Sequence, residues 1–165
     1  MAGKRKTLPN DFDKTIKAGP PEDLIKIMIN DLISSHAEIF EHAFLMRFPT
    51  DEELCEAEKT LGMKIPEDYV WFLKTYGHGG FCFELLGYGL NGTAMFVEKT
   101  MHERTYGMPE ELLVIESMDE YVSCIHTQTG RIVSWSKHDN DGVLDMADDF
   151  YSYFMNRIQN AIDNY

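Results

Sequence analysis

The chain has 165 residues, is 44% hydrophobic and carries a net charge of −13, long enough for one domain that buries roughly 70% of its unfolded surface. No run approaches the ~20 apolar residues of a membrane span, and the basic start MAGKRK lacks the apolar segment of a secretory signal. Acidity on this scale repels nucleic acid and anionic membranes, and it favours fast, salt-sensitive association with basic proteins.

The charge is uneven. Residues 1–17 hold five Lys/Arg and two Asp, a net of +3, and subtracting this from −13 leaves −16 on the remainder. Residues 1–19 are polar, end at Gly19-Pro20-Pro21 and read as a flexible tail, with Lys4-Arg5-Lys6 too short to signal nucleic-acid binding. Cys55, Cys82 and Cys124 are odd in number and lack a CxxC pair, so they read as reduced thiols of a cytoplasmic protein.

Residues 20–48 are predicted to be helical. The Pro pair with Glu22 and Asp23 suits a first turn, and Leu24, Ile25, Met28, Ile29 and Leu32 form an apolar stripe. Ser35 with Glu38 has the spacing of a capping box that restarts the helix, and Thr50 with Glu53 repeats it. Leu54, Ala57 and Leu61 then face inward, and Gly62 supplies a left-handed stop. The next helix opens at Pro66, carries Tyr69, Phe72, Leu73 and Tyr76 on one face, and closes at Gly77.

Beyond Gly77 the period changes. Residues 81–88, 112–116, 121–126 and 131–136 are short aromatic or β-branched runs predicted as strands. A short helix is expected over 94–106, and Thr127-Gln128-Thr129-Gly130 reads as a hairpin turn. A final helix is predicted from about Asp145, burying Phe150, Tyr151, Phe154, Ile158 and Ala161. Helices first, then hairpin-linked strands, then a helix predict an α+β fold: an antiparallel-rich mixed sheet of about four to six strands with helices packed on it.

The run PTDEELCEAEKTLGMKIPEDYVWFLKTYGHGGF resembles the opening signature of the SMI1/KNR4 (SUKH) family. The likeness is carried by Leu54, Glu58, Gly62, Ile65, Pro66, Tyr69, Phe72, Leu73, Tyr76, Gly79 and Gly80. The later LLVIESMDEYVSCIHT, GRIVSWS and MADDFYSYFMNRI match that family's strand, hairpin and helix ending. The resemblance covers about residues 49–160, with His78 where the family often has Asn and with 20–48 as a helical extension before a 49–165 domain. It implies an SMI1/KNR4-like fold, no catalytic residue, and one of two roles. Bacterial members resemble immunity proteins that silence toxins, often nucleases; fungal members act as regulatory scaffolds.

Other motifs weigh less. Gly87-Tyr88-Gly89-Leu90-Asn91-Gly92 is a literal GxGxxG with Glu116 placed as a ribose ligand would be. The strand before it contains Glu84 and lacks a continuous aliphatic run, so a structural glycine loop is the commoner explanation. Residues 137–142 resemble part of a calcium loop, but Lys137 would occupy the first ligand position and Asp148 the twelfth. The six histidines show no metal-ligand spacing, and Cys82 reads as an inert thiol buried on a strand.

These readings lead to a protein-binding surface without cofactor or metal. Glu84, Glu116, Asp119, Glu120, Asp139 and Asp141 are expected to face cations of a basic toxin domain, with Tyr88, Tyr121 and Trp135 as aromatic anchors. The expected partner is a cognate toxin, with no direct nucleic acid and no membrane contact. The alternatives are a regulatory scaffold docking through 20–48 and a nucleotide-binding enzyme using Gly87–Gly92.

Overall fold

The structure is a computed structural model that describes residues 21–139 and 142–165. The flexible-tail reading of 1–19 and the position of Asp141 lie outside the described residues. In chain order the elements are α1 (Glu22–Ser34), α2 (Ala37–Phe40), β1 (Phe44–Leu45), α3 (Asp51–Leu61), α4 (Glu67–Thr75), β2 (His78–Gly79), α5 (Met95–Arg104), β3 (Leu112–Ser117), β4 (Val122–His126), β5 (Ile132–Trp135), β6 (Leu144–Ala147) and α6 (Phe150–Asp163). β1 and β2 form a small antiparallel pair, and β3-β4-β5-β6 form a separate antiparallel meander. The α+β class predicted from the sequence is the class observed.

Local chemistry explains most boundaries. The Thr50 hydroxyl accepts the Glu53 N–H, and the Glu53 carboxylate accepts the Thr50 N–H, both at 3.1 Å, so two orphan donors are satisfied at the start of α3. Gly62 ends that helix at φ +71. The 127–130 turn closes β4 onto β5, with Gly130 at φ +75 and its N–H on the His126 carbonyl. One core joins all of this: Ile29 and Phe40 of the N-terminal helices, Tyr69 and Phe72 of α4, Leu113 and Ile125 of the sheet, and Phe150 and Phe154 of α6. The 20–48 segment thus contributes to the same core as the rest.

Four expectations are corrected. Residues 81–88 form no strand: Gly80 just before the run and Cys82 within it take positive φ and break the extended backbone. The segment instead makes single bridges to different partners, Leu85 to Gly79 and Tyr88 to Ala94. Cys82 is accordingly exposed in a left-handed backbone at φ +61, not buried on a strand. The last helix starts at Phe150, capped by Asp149, whose side chain accepts the Ser152 N–H at 2.8 Å; residues 144–147 are the edge strand β6, pinned to β5 where Arg131 pairs with Asp145 at 3.0 Å and Asp148 at 2.9 Å. Ser35 forms no capping box: it stays in the right-handed helical region (φ −71, ψ −15) as the C-cap of α1, whereas an N-cap needs an extended backbone.

The two edges of the meander differ. On the β3 side, the Val114 N–H donates to Thr100 Oγ1 of α5 at 3.0 Å, and the Leu86 N–H donates to the Ile115 carbonyl at 2.8 Å. That edge is closed by α5 and the 81–88 segment. β6 is the other edge, and its Leu144 is 55% exposed.

Candidate functional site

Ser123 pairs with Ser134, and Ser134 with Leu144, across β4, β5 and β6. Residues paired in this way share one face of a pleated sheet. At Ser123 the face is covered by α6, whose Tyr153 hydroxyl lies 3.1 Å from Ser123 Oγ. At Leu144 it is open. A cleft of about 690 Å³ occupies this uncovered part, with Trp135, Ser134 and Met146 lining it. Its rim includes Asp119, Glu120 and Asp139, with Tyr121 beside them. The apolar side chains there are unusually open, Leu144 at 55%, Met146 at 40% and Tyr121 at 38%. Exposed apolar surface ringed by polar groups is a usual mark of an interaction site, and the three rim carboxylates give this one a negative sign.

Of the nine residues singled out in the sequence, Asp119, Glu120, Tyr121, Trp135 and Asp139 come together in this cleft. Glu84 is exposed elsewhere, its carboxylate 3.4 Å from His78 Nε2. Glu116 and Tyr88 are corrected as surface contacts, because they are 1% and 2% exposed, and Trp135 is corrected as an open anchor, because at 8% exposed it belongs mainly to the core. Glu116 follows an irregularity in the β3–β4 register that turns it inward. There its carboxylate accepts from the Tyr153 hydroxyl and Arg157 and receives the Glu84 N–H at 3.4 Å. Burial, reinforced by the neighbouring Glu116 charge, pushes the Tyr153 hydroxyl well above the usual tyrosine range. Tyr88 donates to the Glu53 carbonyl at 3.1 Å under the Arg47 guanidinium, and burial pushes its hydroxyl up to about 12.

The family described as SMI1-KNR4 cell-wall (SUKH_5) matches residues 25–159. The chain belongs to the SMI1/KNR4 (SUKH) family. Among solved structures, it is similar to a crystal structure of a protein from Pseudomonas syringae pv. tomato, with 20% identity and a TM-score of 0.53 over 69% of this chain and 88% of that one. At that identity the likeness speaks for the fold alone. The family match begins inside α1, so most of that helix lies within the matched region.

In this SMI1/KNR4 chain the GxGxxG run is a packing loop. A Cβ at Gly87 would overlap the Gly77 carbonyl oxygen. Its amides are already engaged: Gly87 N–H with His78 Nδ1 at 2.9 Å, Gly89 N–H with the Thr93 carbonyl and Gly92 N–H with the Gly89 carbonyl. A phosphate cradle needs such donors free. Burial holds the His78 imidazole below its usual range, which keeps Nδ1 able to accept that bond. Asp148, the twelfth position of the calcium-loop reading, is engaged by Arg131. No group of three or more His, Cys, Asp or Glu is arranged to hold a metal among the described residues, and no helix among them is long and apolar enough to cross a membrane.

Sequence reasoning missed Ser134, His138, Leu144 and Met146 as cleft residues. The signal for the last two is legible in retrospect: Leu144 and Met146 alternate with Asp145 and Ala147 in a two-residue period, after a glycine at φ +82.

Proposed function

We propose that this chain is an immunity protein that binds a basic toxin domain, of the nuclease type, and silences it by covering its active site. The observation that carries the reading is the cleft itself: exposed Leu144, Met146 and Tyr121, beside the largely buried Trp135, under the carboxylates of Asp119, Glu120 and Asp139. A nuclease grips phosphates with Lys and Arg, and a carboxylate rim offers those cations a competing set of partners. The exposed apolar side chains supply the desolvated centre that makes an interface hold. The net charge of −13 steers association over distances beyond the contact itself. Binding of this kind involves no turnover. The test is growth rescue: co-expression of the intact chain with the toxin domain encoded beside it protects cells, and failure to protect against any neighbouring toxin domain overturns the reading.

A regulatory scaffold is the second reading, and one feature favours it. Leu24, Ile27 and Met28 stand on one side of α1 at i, i+3 and i+4, each between 43% and 55% exposed. That face is available to a docking partner even though the opposite face of α1 is in the core.

A further inference from the structure

Beyond the 118–121 turn the acidic cleft continues into a smaller groove of about 110 Å³, which shares Asp119, Glu120, Trp135 and His138 with it. The far side of this groove is lined by Lys99, His102, Glu103 and Lys137. Lys99 is neutralised by Glu103 at 3.1 Å. Lys137 is not. Among the described residues no carboxylate lies within 4.0 Å of its ammonium, which instead sits 4.2 Å from the centre of the Tyr106 ring. The His102 ring meets the same tyrosine edge-on at 5.3 Å.

This is unusual in so acidic a chain. Lys74, Arg131 and Arg157 each pair with a carboxylate, and Arg104 is spent on the Leu61 and Glu110 carbonyls; Lys64 is the other lysine without a carboxylate pair among the described residues. Lys64 lines neither groove, whereas Lys137 stands at the end of the path that leaves the cleft. A cation held over an aromatic face keeps its charge while losing part of its rotamer freedom. Its ammonium is therefore oriented before a partner arrives, which lowers the cost of binding an anion. A purely acidic surface would accept any polycation, and one cation on the same path discriminates among them by position.

We propose that the Lys137–Tyr106 site receives a carboxylate of the bound protein. The partner segment that crosses the 118–121 turn then carries Lys or Arg on the cleft side and Asp or Glu on the Lys137 side. This deepens the toxin-binding reading and rests on it.

Two capped peptides of equal length, titrated into the intact chain and followed by NMR, test it. One is all Lys and Arg; the other carries Asp at one end. The basic peptide is expected to move the Tyr121 and Trp135 signals, and the mixed peptide those of Tyr106 and His102 as well. Lys137→Ala should weaken the mixed peptide about two- to five-fold, the range of an exposed ion pair, and leave the basic peptide no weaker. Equal effects on both peptides, or none on either, overturn the inference and leave the cleft reading standing. Absence of binding by both peptides removes the cleft reading too. A short oligothymidylate should leave Tyr106 and His102 unmoved; if it shifts them and displaces the mixed peptide, the anion is a phosphate and the inference fails.

Discussion

Arg157 of α6 closes on Glu116 at the end of β3, and the carboxylate it meets is 1% exposed. Removing one partner of a buried pair leaves an uncompensated charge, which costs about 3–5 kcal/mol. Arg157→Ala is therefore expected to lower unfolding free energy by about that amount in urea titrations. Glu116→Gln combined with Arg157→Met, which leaves no buried charge, should recover most of the loss. A cost below about 1 kcal/mol for Arg157→Ala, as for surface pairs, would show that the pair is solvated and the account of the inward turn at Glu116 is wrong.

Asp68 sets a pH dependence. Burial, with Asp149 adding to it against the Tyr69 N–H bond, raises its carboxyl to about 6, above the ~3.9 of an unfolded Asp. The folded state therefore binds the proton more tightly than the unfolded state between about pH 4 and 6. Its contribution is present below that window and lost as pH rises through it. Asp68→Asn is expected to gain about 1–3 kcal/mol at pH 7 and nothing at pH 4. Thermal melts across pH 4–8 read both; an equal shift at all pH values would contradict the assignment.

Gly87 has no room for a side chain, since a Cβ would strike the Gly77 carbonyl. Gly87→Ala should cost at least about 1–3 kcal/mol through overpacking. A dinucleotide at millimolar concentration should leave the melting temperature of the unaltered chain unchanged. A ligand-induced rise would restore the phosphate-loop reading.

The scaffold reading needs a gentler probe than truncation, because Ile29, Ile39 and Phe40 are core residues and deleting them would unfold the domain. Leu24→Glu with Ile27→Glu alters only the exposed face of α1. The doubly substituted chain is expected to stay folded by circular dichroism and to keep full toxin protection. Loss of protection would move the binding surface from the cleft to α1.

The parts of the fold that were legible were those with local chemistry. Thr50 with Glu53, the 69–76 stripe and the turn at Gly130 each encode their own geometry within a few residues. The parts that were not legible depend on distant partners. Residues 81–88 have strand composition, yet Gly80 and Cys82 take positive φ and the segment finds Leu86–Ile115 and Glu84–Glu116 contacts instead. Residues 144–147 contain good helix formers, but cross-strand pairing with β5 and the Arg131 pairs outweigh propensity. The same holds at the site. Acidic and aromatic residues flanking the β4–β5 hairpin were readable as a cluster, while the inward turn of Glu116 required the β3–β4 irregularity, which no local pattern announces.

Association kinetics test the central claim most directly. With the toxin domain found by growth rescue, a chain with Asp119, Glu120, Asp139 and Asp141 all changed to Lys is compared with the unaltered one across salt concentration. Loss of steering at a complementary surface slows association by about tenfold or more. The account predicts that slowing at low salt, together with a flattened salt dependence. Unchanged association rates and an unchanged salt slope would contradict it.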